Sequence, residues 1–155
     1  MNHSLAFVLL LLAGIVVAAD TTAPARAKRP PPPPAYLEEC GGCHAAFLPR
    51  MLPAASWRRL LQDLPHHFAS DASLDAVTAG EIERWLVSNA GDASRFPTAP
   101  AEDRITRTRW FTRQHDEIGA KTWQRAAIGK PSNCTACHRT AEQGVFNERD
   151  LRIPK

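Results

Sequence analysis

Four cysteines fall in two identically spaced pairs, and a histidine follows each pair at once: Cys40-Gly41-Gly42-Cys43-His44 and Cys134-Thr135-Ala136-Cys137-His138. Together they use every cysteine of the chain, so their chemistry governs how it can fold. Two thiols three residues apart lie on one side of a helical turn. There both can form thioethers with the vinyl groups of one haem, and the next histidine falls beneath the iron. The rival uses of cysteine fit less well. The pairs are separated by ninety residues, whereas a zinc ribbon places them about 15–20 apart, and zinc gives the trailing histidines no role. Disulfides suit an exported chain but need no histidine at a fixed offset. A thioredoxin-like pair wants a βαβ context, and no strand alternation is visible. The residues point to two covalently bound haem c groups, with thioethers at Cys40, Cys43, Cys134 and Cys137 and proximal iron ligands at His44 and His138.

The remaining ligands can be counted. With His3 set aside in the N-terminal segment, His66, His67 and His115 are left for two sixth positions, and Met51 is the one candidate thioether ligand downstream. Met51 sits in Leu48-Pro49-Arg50-Met51-Leu52-Pro53, where a packing role is the ordinary expectation. His67 follows Leu64 by three and precedes Phe68, so it points with the apolar stripe; His66 is its substitute. His115 shares a face with Phe111 and Ile118 at i, i+4, i+7. A lone histidine on an apolar face is usually a satisfied core residue, but a haem iron in so small a chain needs a ligand. Sequence proximity assigns His67 to the first haem and His115 to the second, and a crossed arrangement stays open.

Residues Leu5 to Ala19 are fifteen uncharged, mostly apolar residues, short for a bilayer span of about 20 and right for a signal-peptide core. Val17-Ala18-Ala19 offers small residues for cleavage, which predicts a signal peptide at 1–19 and an exported, periplasmic protein. The segment before it, MNHS, lacks Lys and Arg, so an uncleaved anchor is the alternative. Arg26, Lys28 and Arg29 would then hold the following chain in the cytosol, where c-type haem is not attached. Five prolines, Pro30 to Pro34, follow, a stiff spacer of roughly 15 Å in polyproline II form. This reads as a leader over 20–35, with lobes at 36–98 and 99–155 each carrying one haem motif.

Length allows no more than an ordinary domain or two small lobes: 155 residues, 23% charged, 7% aromatic, net charge +3. That balance excludes a disordered chain and gives no reason to expect nucleic acid as a partner. Helix signals predict segments at Trp57–Leu64 capped by Ser56, from a Thr78-Ala79-Gly80-Glu81 capping box to about Asn89, over Thr108–Ile118, and over Lys121–Ile128. The expected fold class is mostly α: short helices and long loops wrapped around two covalently attached haems. Arg104, Arg107, Arg109, Arg113, Lys121 and Arg125 make one stretch basic. It reads as a solvated face, a partner for haem propionates, or a docking surface for an acidic redox protein.

Several linked blocks resemble one family, the small dihaem cytochromes c (DHC type) of proteobacteria. They are Glu39 through His44, Leu52-Pro53-Ala54-Ala55-Ser56-Trp57-Arg58-Arg59-Leu60, His67-Phe68, Ile105-Thr106 with Trp110-Phe111, His115-Asp116-Glu117-Ile118, Ser132 through His138, and Ala141-Glu142-Gln143-Gly144. The resemblance spans about Glu39 to Pro154. It implies two low-spin, bis-histidine haems in a helical, monomeric, periplasmic electron carrier rather than an enzyme. By the same resemblance the distal ligands are His67 and His115, and the partners are an oxygen-binding monohaem cytochrome c and a membrane b-type cytochrome. Ala69 departs from the glycine expected after His-Phe. The competing expectation is a dihaem enzyme, peroxidase-like or oxygen-reducing, with one open iron and His66 as its acid–base group. A haem-based sensor is a third reading, for which no output domain is visible.

Overall fold

A computed structural model describes residues 30–155; the apolar segment 1–19 and the first part of the leader lie outside the described residues. Among the described residues there are five helices, α1 Pro34–Gly41, α2 Ala54–Gln62, α3 Ala76–Ser88, α4 Arg109–Gln114 and α5 Ala120–Trp123, with one 3-10 turn after each of α1 and α2, three between α3 and α4, and three after α5. Among the described residues there is no strand, only isolated bridges such as Pro53 with Gly91 and His138 with Leu151. No helix described is long and apolar enough to cross a membrane.

The proline run does not end before the fold begins. Pro34 is the first residue of α1, where its fixed φ suits the helix and its missing N–H is no loss. Tyr36 and Cys40, one turn apart, share a face of α1. Tyr36 is buried and donates its hydroxyl proton to the carbonyl of Phe47; burial raises its pKa well above the usual tyrosine range.

α2 starts three residues before the expected Trp57, directly after Pro53, and its end at Gln62 precedes the 3-10 turn that Pro65 makes at Leu64–His66. Ser56 is therefore not a cap. It lies fully buried inside the first turn. α3 likewise opens early: Asp75, not Thr78, accepts from the N–H groups of Val77 and Thr78. Ile82 and Leu86 on α3 are buried against Tyr36, Leu52 and Trp57 to make the main core. Trp57 also donates its indole N–H to the Pro49 carbonyl at 2.7 Å. Behind α3 the chain passes so close to α2's approach that only glycine fits. A Cβ on Gly91 would stand 2.7 Å from the Arg50 carbonyl oxygen.

The chain between the two expected lobes is docked rather than free. Turns at Ala101–Asp103 and Ile105–Arg107 lie against α2 and α4. Arg59 grips Asp103 with both Nε and Nη2, at 2.8 and 2.6 Å, and Ile105 packs on the main core. That pair holds the Asp103 carboxyl below its usual range, chiefly by the Arg59 hydrogen bond. Its stabilisation is thus present above the unfolded-state pKa and is lost as pH falls through the folded one. Thr108 then caps α4, accepting from the Phe111 N–H. From here on the apolar residues that are fully buried are few: Phe111, Ile128 and Ala141.

Among the described residues, four non-glycine residues have positive φ, and they come in two adjacent pairs: Phe68 (49°) with Ala69 (74°), and Glu102 (56°) with Asp103 (51°). Phe68, Glu102 and Asp103 line one open cleft beside His67. The conformation explains why glycine is expected at position 69, since a Cβ in the left-handed region is strained by about 1 kcal/mol or more. Ala69→Gly is therefore expected to raise unfolding free energy by about 0.5–1 kcal/mol. Denaturant titration of the haem-loaded protein checks it; a loss of stability would show that position 69 carries no strain.

Candidate functional site

Each Cys-x-x-Cys-His motif sits where a helical turn gives out. Cys40 is in the last turn of α1, while Cys43 and His44 follow the turn that Gly42 caps. The second motif forms a 3-10 turn at Cys134–Ala136, closed by the His138 N–H to Cys134 carbonyl bond at 2.8 Å. No disulfide joins any of the four cysteines. Cys40 is pushed up to about 11 by burial, with Glu39 adding to it; burial also raises Cys134 and Cys137. The two pairs do not converge: among the described residues no three His, Cys, Asp or Glu side chains gather as a metal site.

What does converge is histidine with histidine. The His44 and His67 rings face each other with centroids 6.4 Å apart and planes 26° from parallel. The His115 and His138 rings are 6.1 Å apart with planes at 81°. A metal–imidazole bond is about 2 Å and the ring centre lies about 1 Å behind its nitrogen, so two imidazoles on opposite sides of one metal stand roughly 6 Å apart. Both separations fit one iron between each pair. The rings brought close are His44 with His67 and His115 with His138.

The other ring nitrogens support the same use. His44 Nδ1 is 2.8 Å from the Ala45 carbonyl and His115 Nδ1 is 2.9 Å from the Phe111 carbonyl. Such a bond puts the proton on Nδ1 and leaves Nε2 to bind. His67 Nδ1 and His138 Nδ1 are buried without any hydrogen-bond partner. Burial first, then the neighbouring His44 and Arg104 charges, lowers the His67 pKa; burial and His115 lower that of His138. Both imidazoles are thus biased to the neutral form that binds a metal.

His66 is placed elsewhere. It is exposed, with Nδ1 2.6 Å from Asp63 Oδ1, and that hydrogen bond raises its pKa. Met51 is buried in the Pro49–Met51 turn. The third expected helix is shorter than its apolar period suggested: α4 stops at Gln114, and His115 is its C-cap. His115 still shares the Phe111 face, stacked on that ring at 4.1 Å with Trp123 at 5.8 Å. Aromatic neighbours that the sequence reading did not single out complete the walls. Phe47 stacks on His44 at 4.6 Å, and Phe146 meets His138 edge-on at 5.3 Å. The signal was available for Phe47, which follows His44 by three residues, and for Phe146 only in the fold.

The segments behind the two motifs touch. Gly144, at φ 70°, leaves no room for a side chain because a Cβ would stand 2.6 Å from Leu48 Cδ2. The tail returns to the second motif as well, through the Arg152 N–H to the Cys137 carbonyl and Arg125 Nη1 to the Pro154 carbonyl at 2.6 Å. Arg104 is committed to Glu102 at 2.6 Å and lies 4.1 Å over the Phe68 ring.

The dihaem cytochrome c family model matches residues 36–146. A dihaem cytochrome c from Shewanella baltica OS155 is similar in structure, with a TM-score of 0.71 at 36% identity, over 81% of this chain and 95% of that one. DHC from Rhodobacter sphaeroides is 44% identical, with a TM-score of 0.64 over 74% of this chain and 96% of that one. A second structure of that organism's dihaem cytochrome c matches at 42% identity and a TM-score of 0.65. No curated protein matches the chain.

Proposed function

The chain belongs to the dihaem cytochrome c family, whose members are haem-based electron carriers with two covalently bound haem c groups, and from that premise we propose that it is a periplasmic electron carrier in which each iron is closed by two histidines. When bound, each haem supplies a centre that takes up and releases one electron. Cys40 with Cys43, and Cys134 with Cys137, hold the two groups by thioethers, so that neither is lost outside the cell. His44 with His67 would hold the iron of the first, and His138 with His115 that of the second. The observation that carries this reading is the pair of facing imidazoles at 6.4 and 6.1 Å.

The residues' own work is to orient and to exclude. The Ala45 and Phe111 carbonyls fix the His44 and His115 rings, and Phe47, Trp123 and Phe146 pack the imidazoles in place. Two strong ligands leave no open position for a substrate, which separates a carrier from an enzyme. Histidine in the sixth place, rather than methionine, keeps the potential low. The contact of Gly144 on Leu48 ties the two motifs' flanks together, which suits passage of an electron within the molecule. Export is supported by the apolar stretch Leu5–Ala19 and by haem attachment on the outer side of the inner membrane. The proposed partners are an oxygen-binding monohaem cytochrome c and a membrane b-type cytochrome, met in small, transient encounters.

The haem-loaded protein is expected to take up two electrons per chain reversibly from a neutral redox dye, and to turn over neither peroxide nor oxygen faster than free haem. Uptake of two electrons without turnover supports the carrier; sustained peroxide consumption would make it an enzyme.

A further inference from the structure

The electron-carrier reading leaves one surface without a use. Charge is divided unevenly along the fold: residues 36–107 carry seven Lys/Arg against ten Asp/Glu, and residues 108–155 carry nine against five. Of the basic residues in the stretch singled out from the sequence, Arg104 and Arg125 are committed to internal contacts. Arg107, Arg109, Arg113 and Lys121 are exposed, and no ion pair among the described residues holds them.

α4 arranges part of this set. Arg109 and Arg113 are one turn apart and share a face. At 3.6 residues per turn that face is opposite the one bearing Phe111 and His115. Trp110 flanks it, and Arg95, from the Ala93–Arg95 turn after α3, lies 4.9 Å over the Trp110 ring. Asp116 and Glu117 follow the helix, so the outward face of α4 itself carries no carboxylate. Arg and Trp are the residue types that anchor protein interfaces. A positive field over such a patch steers an oppositely charged protein towards it.

Resting on the carrier reading, we infer that the outward face of α4, with Arg95, Arg109, Trp110 and Arg113, is the docking surface for an acidic redox protein. A partner seated there is one helix diameter, about 10 Å, from the His115 imidazole on the inner face. The encounter passes one electron, so one protein is oxidised by one unit and the other reduced, with no proton or ligand moved. A basic partner is repelled by the same surface.

The test uses the full haem-loaded protein and stopped-flow electron transfer from an acidic flavodoxin, with basic mitochondrial cytochrome c as the oppositely charged probe. Arg109→Glu with Arg113→Glu is expected to slow the flavodoxin reaction about tenfold or more at low salt, and to converge with the unaltered protein at about 0.5 M salt. Arg109→Gln with Arg113→Gln should fall between. Arg58→Glu with Arg84→Glu, the same charge change on α2 and α3, should act far less. Equal slowing by both charge reversals, or none by either, overturns the assigned surface. If the unaltered protein exchanges electrons with neither protein nor with a neutral dye, the carrier reading itself fails. Haem spectra unchanged in every variant exclude misfolding as the cause.

Discussion

Replacing His115 with alanine is expected to open one iron and leave the other closed. Among the described residues His115 is the one histidine ring beside His138, 6.1 Å between centroids, and its ring is locked by the Phe111 carbonyl and the Phe111 and Trp123 rings. Among the described residues no second histidine packs on His138, whose other ring neighbour is Phe146. Ferric spectra should then show one high-spin and one low-spin haem, and the reduced variant should bind about one carbon monoxide per chain. His67→Ala should do the same at the first haem. His66→Ala should leave both irons low-spin, because His66 points to Asp63 and solvent. A fully low-spin His67→Ala protein would mean that His66 or Met51 moves in to replace it.

The second large effect concerns folding. Cys134→Ser with Cys137→Ser should reduce iron from two per chain to one and remove the protection of amides over 108–155. That part of the chain buries only Phe111, Ile128 and Ala141 among its apolar residues, and its helices are four to six residues long. Isolated helices of that length are not stable in water. A covalently held haem gives the Phe111, Trp123 and Phe146 rings an apolar plane to pack on, which the chain does not otherwise supply. By contrast, the first part has Tyr36, Leu52, Trp57, Ile82 and Leu86 in one cluster and should keep its exchange protection. Hydrogen exchange read by mass spectrometry separates the two halves. Retained protection over 108–155 would show that the chain there folds without its haem.

The site was more legible in the sequence than the helices were. Cysteine and histidine at fixed offsets report chemistry directly, so the two motifs, and His67 and His115 as the histidines that the fold brings beside them, could be named from spacing and from the apolar faces they share. Helix ends depend on what the cap meets in space. Ser56 has a capping residue's chemistry, yet Pro53 starts α2 sooner and buries it. Thr78 heads a capping-box pattern, but Asp75 sits three residues earlier with a stronger acceptor. The apolar period over Thr108–Ile118 continues past the real end of α4, because the face it marks packs on the site and not on a longer helix. α1 was hidden by its prolines, which signal a stiff leader unless the last one happens to open a helix. Ala69 shows the reverse case: a residue that departs from expectation, whose positive φ of 74° reveals why glycine was expected.

The central claim is that both irons are closed by histidine on both faces. The direct measurement is the spin state of each haem in the full haem-loaded protein, by electron paramagnetic resonance of the ferric form, with carbon monoxide added after reduction. The account predicts two low-spin signals, no high-spin component and no carbon monoxide complex. The two should differ in shape, since the ligand planes are 26° apart at one site and 81° at the other. A high-spin signal near one per chain, or a stoichiometric carbon monoxide complex, would contradict it.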